Sequence, residues 1–278
     1  MLTKTNNFAV ASYSFHGLHN LNAMNIFGYL ETVKYRYNLS TADIWNGYLD
    51  NYDDDYIRLL DLSIKERNLT VVNFCCDGAH IWDNDPHYRA EYEKLARTCL
   101  KTAEKIGAKS IRFDMGVRED VISDEQMEYL VNKYSEYCKI ANEFGAKLGP
   151  ENHWGAAQKF PQFEKFVNIM KNEQPNFGIL LHLGGWGEHA TTEERDKNDI
   201  EMAKNAFHIH IDYEHCMEAD RVLPPLKQAG YSGCWTIESH KSTNEYNNVA
   251  FQLAQVKRVI APMVYDGSWE DAPPCVKE

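Results

Sequence analysis

The chain predicts an α/β fold, a single closed (β/α)₈ barrel, on three observations. Eight short runs rich in β-branched and aromatic residues recur about every thirty to forty residues, the length of one strand–helix unit. Amphipathic helical stretches separate them. Ser12 to His19, after the first run, contains no GxGxxG phosphate loop, which an open doubly wound sheet would carry there.

The predicted strands are 8–13, 39–45, 69–75, 110–114, 146–151, 177–182, 206–212 and 234–238. Helical spacing is clear over 55–67, 89–106, 124–144, 161–172 and 222–228. The third of these places Met127, Leu130, Val131, Tyr134, Tyr137 and Cys138 on one face. Gly107-Ala108, Gly145-Ala146 and Ala229-Gly230 follow helical stretches, where glycine takes the left-handed conformation that turns a helix into a strand. Strict β–α alternation implies a parallel sheet, and eight units suggest closure into a barrel.

Length and composition agree with one domain spanning 1–278. Hydrophobic residues make up 44% of the 278, enough for a large core, and no Pro/Gly/Ser-rich linker divides them. A formal charge of −12 with scattered Lys and Arg argues against a nucleic-acid partner. The seven cysteines (75, 76, 99, 138, 216, 234 and 275) contain no CxxC and read as reduced thiols of a cytoplasmic protein. Cys75 and Cys76 are adjacent in a strand and should face opposite ways. No apolar run is long enough for a signal h-region or a membrane span.

Functional side chains of such a barrel sit at the C-terminal ends of its strands. Strand five ends Glu151-Asn152-His153-Trp154-Gly155, and strand six ends His182-Leu183-Gly184-Gly185-Trp186. Strand seven reads His208-Ile209-His210-Ile211-Asp212, and strand eight reads Ile237-Glu238-Ser239-His240. Glu151, His182, His210 and Glu238 are separated by 31, 28 and 28 residues, one unit per step. Any one of them alone reads more simply as a polar rim residue. Four in phase point to one divalent metal, because inward-facing carboxylates need a partner to offset desolvation. Two carboxylates with two imidazoles favour Mn²⁺ first, with Zn²⁺, Co²⁺ and Fe²⁺ as alternatives, over Mg²⁺ or Ca²⁺.

These four motifs resemble the xylose isomerase-like TIM barrels, a group that includes sugar isomerases and epimerases, dehydratases and endonuclease IV. The resemblance spans nearly the whole chain. It implies a small sugar or glycoside substrate and places the four metal ligands on Glu151, His182, His210 and Glu238. The pattern departs at His182, where the family usually has Asp, and at His210-Ile211-Asp212-Tyr213, where His-x-Lys-Asp is common. Replacing a carboxylate by an imidazole removes one negative charge and strengthens the Lewis acid. That change gives weight to the superfamily members that cleave the C–C bond of oxidised C-glycosides.

The shared chemistry is proton removal beside a carbonyl with metal stabilising the enediolate. His153, two residues beyond a ligand and on the same strand face, is the first acid/base candidate. The other reading has it only hydrogen-bonding a ligand. Glu151 and Glu238 can double as bases, as the paired glutamates do in the epimerases. Strand ends also carry His16, Trp45, Asp77, His80, Arg112, Asp114, Glu214 and His240. The substrate-binding expectations are His16, Trp45, Arg112, Trp154, Trp186 and His240. Against them stand two plainer readings: Arg112 paired to Asp114, and each tryptophan packed between barrel and helix.

The leading expectation is therefore a metal-dependent enzyme that enolises a keto-sugar, either a sugar isomerase/epimerase or a C–C lyase. The alternatives are an endonuclease IV-like nuclease and a non-catalytic sugar-binding barrel subunit. A homo-oligomer and a small partner subunit are both compatible with the sequence.

Overall fold

The computed structural model describes residues 7–264, so Cys275 lies outside the described residues. Its strands are β1 (Phe8–Val10), β2 (Thr41–Trp45), β3 (Thr70–Cys76), β4 (Ser110–Phe113), β5 (Lys147–Gly149), β6 (Ile179–His182), β7 (Ala206–Ile211) and β8 (Cys234–Ile237). All eight fall on the predicted runs. Every pairing is parallel, in two four-stranded arcs ordered β1-β8-β7-β6 and β2-β3-β4-β5. Single bridges close the arcs into a barrel: Ala11 to Asp43 on one seam, Leu148 to Phe177 and Glu151 to Leu180 on the other. No helix among the described residues is long and apolar enough to cross a membrane.

Two strands stop two or more residues short of their predicted ends. The chain leaves β1 through a 3-10 turn at Ser12–Phe15, and there Ser12 Oγ accepts a hydrogen bond from the Trp45 amide. β5 ends at Gly149, where a Cβ would lie 1.7 Å from the Gly178 carbonyl oxygen. Only glycine lets β5 and β6 approach this closely, and the next two residues carry Glu151 to its bridge with Leu180.

The helices begin where their capping residues dictate. Asp85 accepts from the His87 amide ahead of Pro86–Lys105, and proline at the first position suits this start. Ser123 and Gln126 form a reciprocal capping box ahead of Asp124–Glu143. That helix buries Met127, Leu130, Tyr134, Tyr137, Cys138 and Ala141 against the barrel, with Val131 only partly buried. Gly107, Gly145 and Gly230 adopt φ of +67°, +78° and +104°, as expected of helix-ending glycines.

Cys76 joins the large core between strands and helices, whereas Cys75 faces the barrel interior with Leu180 and Phe207. Cys75, Cys76, Cys99, Cys138 and Cys216 are buried free thiols. The interior also holds a buried polar chain. Ser110 Oγ donates to Asn73 Oδ1 (2.9 Å), Asn73 Nδ2 donates to Asp43 Oδ1 (3.2 Å), and His208 Nε2 lies 2.8 Å from Thr236 Oγ1.

Candidate metal centre

Glu151, His182, His210 and Glu238 converge on one point at the C-terminal mouth of the barrel, with one donor atom from each within 4.8 Å of the others. His182 Nδ1 is 3.1 Å from Glu151 Oε1 and 3.4 Å from Glu238 Oε2. His210 Nδ1 is 3.5 Å and 3.2 Å from the same two oxygens. Ligands placed about 2.1 Å from a tetrahedral ion are separated by about 3.4 Å, so the spacing fits a small divalent cation. His210 Nδ1 is also buried without a hydrogen-bond partner, as a nitrogen reserved for an ion would be. A donor set of two carboxylates and two imidazoles suits a transition metal.

Each ligand is held from behind. His210 Nε2 donates to Asp43 Oδ2 (2.9 Å), which leaves Nδ1 facing the cavity. His208 Nε2 approaches the same carboxylate oxygen at 2.7 Å. Burial alone would raise the Asp43 carboxyl, but His208 and His210 outweigh it and bring it down to about 2. Arg112 Nε lies 3.1 Å from Glu151 Oε2, and its Nη1 reaches Asp77 and Asp114 at 2.8 Å each. Burial opposes ionisation of Glu151, yet His153 and Arg112 hold it well below the usual carboxylate range. Glu238 is likewise held down against burial by His210, and its hydrogen bond with His240 Nε2 (3.1 Å) raises that imidazole. Asn152, fully buried, grips the β6 backbone with both amide atoms, accepting from His182 N (2.8 Å) and donating to His182 O (2.9 Å).

A cavity of about 170 Å³ opens over this quartet. Trp45, Arg112, His153 and His240 line it together with the four ligand residues. Trp45 Nε1 donates to Asp77 Oδ2 at 2.7 Å, which fixes the indole on the cavity wall. Arg112 takes the plainer of its two readings, paired to Asp114, and also ion-pairs with Glu151.

His153 reaches the cavity by a different route from the one strand alternation implied. The chain bends at 152–154, beyond β5, so no shared strand face places it. The bend instead sets His153 Nδ1 3.3 Å from Glu151 Oε2 and 3.5 Å from Asp114 Oδ1.

Three expected substrate contacts lie outside this cavity. His16 stands behind Tyr13, their rings stacked 4.7 Å apart, because the turn after β1 presents Tyr13 to the cavity instead. Trp186 is buried against Phe160 and Phe163, and its Nε1 donates to Asp199 at 2.6 Å, so it packs a helix onto the barrel. Trp154 lines a neighbouring chamber, its ring edge-on to His80 at 5.2 Å.

Tyr13, Asp43 and Cys75 line the cavity without having been expected there. A signal existed only for Asp43, since an acidic residue inside the strand run Thr41–Trp45 runs against strand preference.

Comparison with known proteins agrees with this arrangement. The family described as xylose isomerase-like TIM barrel matches residues 37–255. The sequence matches no curated protein. Among solved structures, 3-keto-D-glucoside 4-epimerase from E. coli is similar at a TM-score of 0.65 and 14% identity, over 84% of this chain and 94% of that one. The IOLI protein, solved with a zinc atom, is similar at 0.69 and 16%, over 93% and 98%. A xylose isomerase-like TIM barrel protein from Mycobacterium smegmatis, in complex with magnesium, is similar at 0.65 and 12%, over 84% and 89%. Identities this low speak for the fold alone. With the family match covering most of its length and the barrel closed around the four strand-end residues, the chain belongs to the xylose isomerase-like TIM barrels.

Proposed function

We propose that the chain is a divalent-metal-dependent enzyme that enolises a keto-sugar, as an isomerase/epimerase or as a C–C lyase of 3-keto C-glycosides. The observation that carries this reading is the quartet of Glu151, His182, His210 and Glu238, with ligand-atom separations of 3.1–3.5 Å. Mn²⁺ is the first choice of ion. When bound there, the ion polarises the substrate carbonyl and offsets the negative charge that develops on its oxygen.

The chain's own residues do the rest. His153 Nδ1 is turned toward Glu151 and Asp114, which leaves Nε2 to take the proton from the carbon beside the carbonyl. Glu238, beside His182, His210 and His240, is the second proton carrier; an epimerase needs one on each face of the enolate. Arg112 is ion-paired with Asp77, Asp114 and Glu151, so its part is to hold Glu151 in place. Trp45 and His240 wall the sugar. Asp43, Asp77, Glu151 and Glu238 line the same cavity and would repel a phosphodiester, which favours a sugar enzyme over a nuclease. Buried free thiols support a cytoplasmic setting.

The test is hydrogen–deuterium exchange into keto-sugars in deuterated water, with and without added Mn²⁺. Glu151→Gln and Glu238→Gln remove an anionic ligand at nearly constant volume. Each should abolish exchange and lower metal stoichiometry while the circular dichroism spectrum persists. Full metal content and normal exchange in either variant would refute the ligand assignment.

A further inference from the structure

A second chamber, open to solvent on one side and of about 440 Å³, adjoins the metal cavity. Asp77 and His153 line both, so the two spaces meet at the residue assigned to proton transfer. Beyond them the chamber is walled by His80, Asp114, Arg118 and the half-buried Trp154. Room for one sugar ring over the metal therefore continues into room for a second group.

The walls specify the chemistry of that group. Asp114 is only 3% exposed; its Oδ2 is taken by Arg112, and its Oδ1, 3.5 Å from His153 Nδ1, makes no hydrogen bond. A buried carboxylate oxygen without a partner calls for a donor, such as a hydroxyl. The indole of Trp154 and the imidazole of His80 offer flat surfaces for a ring. Positive charge is scarce. The single charge of Arg112 is already offset by Asp77, Asp114 and Glu151, and Arg118 is a largely exposed side chain 3.9 Å from Asp83. Burial also keeps the His80 imidazole below its ordinary range, so it adds no cation at neutral pH. A phosphate would meet carboxylates here with no buried guanidinium to spare.

We infer that this chamber is a subsite for a neutral, hydroxyl-bearing ring attached to the reacting sugar, so that the substrate is an unphosphorylated glycoside rather than a free sugar or a sugar phosphate. His153 then stands beside the bond that joins the two halves. The inference rests on the enolisation reading for which half reacts, but the chamber's own selectivity is measurable without turnover.

Two measurements test it. Calorimetric titration with 4-hydroxyphenyl β-D-glucoside, cellobiose, glucose and glucose 6-phosphate, none of which carries the 3-keto group, reads binding alone. The two-ring compounds should bind more tightly than glucose and than glucose 6-phosphate, and Trp154→Ala should weaken them about two- to tenfold, the range of one aromatic contact. Hydroxyphenyl glucoside against cellobiose then tells whether the second ring is aromatic or a sugar. In exchange assays, Trp154→Ala should lower kcat/KM for a 3-keto phenyl glucoside more than for 3-keto-glucose, with Trp154→Phe restoring most of the difference. Tighter binding of the phosphate, no gain from a second ring, or equal losses on both keto substrates would overturn the subsite. Two-ring binding without exchange on any keto substrate would leave the subsite standing and sink the enolisation reading instead.

Discussion

Replacing Asp43 by Asn separates a structural carboxylate from one that also tunes the metal site. Asp43 is 1% exposed and accepts from His208 Nε2 at 2.7 Å, His210 Nε2 at 2.9 Å and Asn73 Nδ2 at 3.2 Å. Asparagine preserves the shape but removes the charge and turns an NH₂ group toward donors. The carboxyl sits at about 2 in the folded protein against 3.8 for the free side chain, a linkage worth about 2 kcal/mol. Breaking a buried charge pair typically costs about 3–5 kcal/mol, so a loss of roughly 2–4 kcal/mol in urea unfolding is expected. The sign follows from the lowered value. The contribution is complete above pH 4 and is lost as pH falls through 2, so parent and variant should converge in acid. At the cavity, His210 loses the anion that orients its ring and strengthens Nδ1 as a donor. Metal affinity by calorimetry should weaken about 10–100-fold, the usual effect of removing such a partner. A folded Asp43→Asn protein that binds Mn²⁺ as tightly as the parent, with the same stability from pH 4 to 7, would refute the reasoning.

The other predictions concern the ligands and their surroundings. His182→Asp should keep the metal, measured by elemental analysis, but slow exchange, because the added negative charge weakens the Lewis acid; an unchanged rate would make the imidazole incidental. His153→Ala should retain metal and lose about 10²–10⁴-fold in turnover if His153 carries the proton. A parent-like rate would leave Glu151, Glu238 and His240 as the candidates. Asp212→Asn keeps the cap on the Tyr213–Met217 helix, since asparagine caps as well as aspartate, but removes the charge paired with His215 at 2.8 Å and should destabilise by about 1 kcal/mol after allowance for its partial exposure. Burial opposes both charges, but His215 lowers Asp212 to about 2 and Asp212 raises His215. The pair therefore contributes fully between about pH 4 and 6.5, fading in acid as Asp212 protonates and in base as His215 loses its proton. A flat difference between parent and variant across that range and above it would exclude the pairing as its source.

The barrel and the candidate metal quartet were legible because both are written in short-range periodicity. Alternating runs of strand and helix residues settle the fold class whatever the chain does at long range. Separations of 31, 28 and 28 residues put Glu151, His182, His210 and Glu238 at the same height on successive strands once the sheet is parallel. What failed depends on departures from that regularity. Tyr13 faces the cavity and His16 does not, because β1 gives way to a 3-10 turn two residues after it ends. His153 arrives by a bend in the loop, and Trp186 is claimed by Phe160, Phe163 and Asp199 on neighbouring elements. Asp43 lies 165 residues from His208 and 167 from His210 in the chain, and they meet only across the closed interior. A local pattern can say that a residue points inward, but its partner there is decided by closure of the barrel, which brings β2 opposite β7 and makes a buried carboxylate stable only where imidazoles already wait.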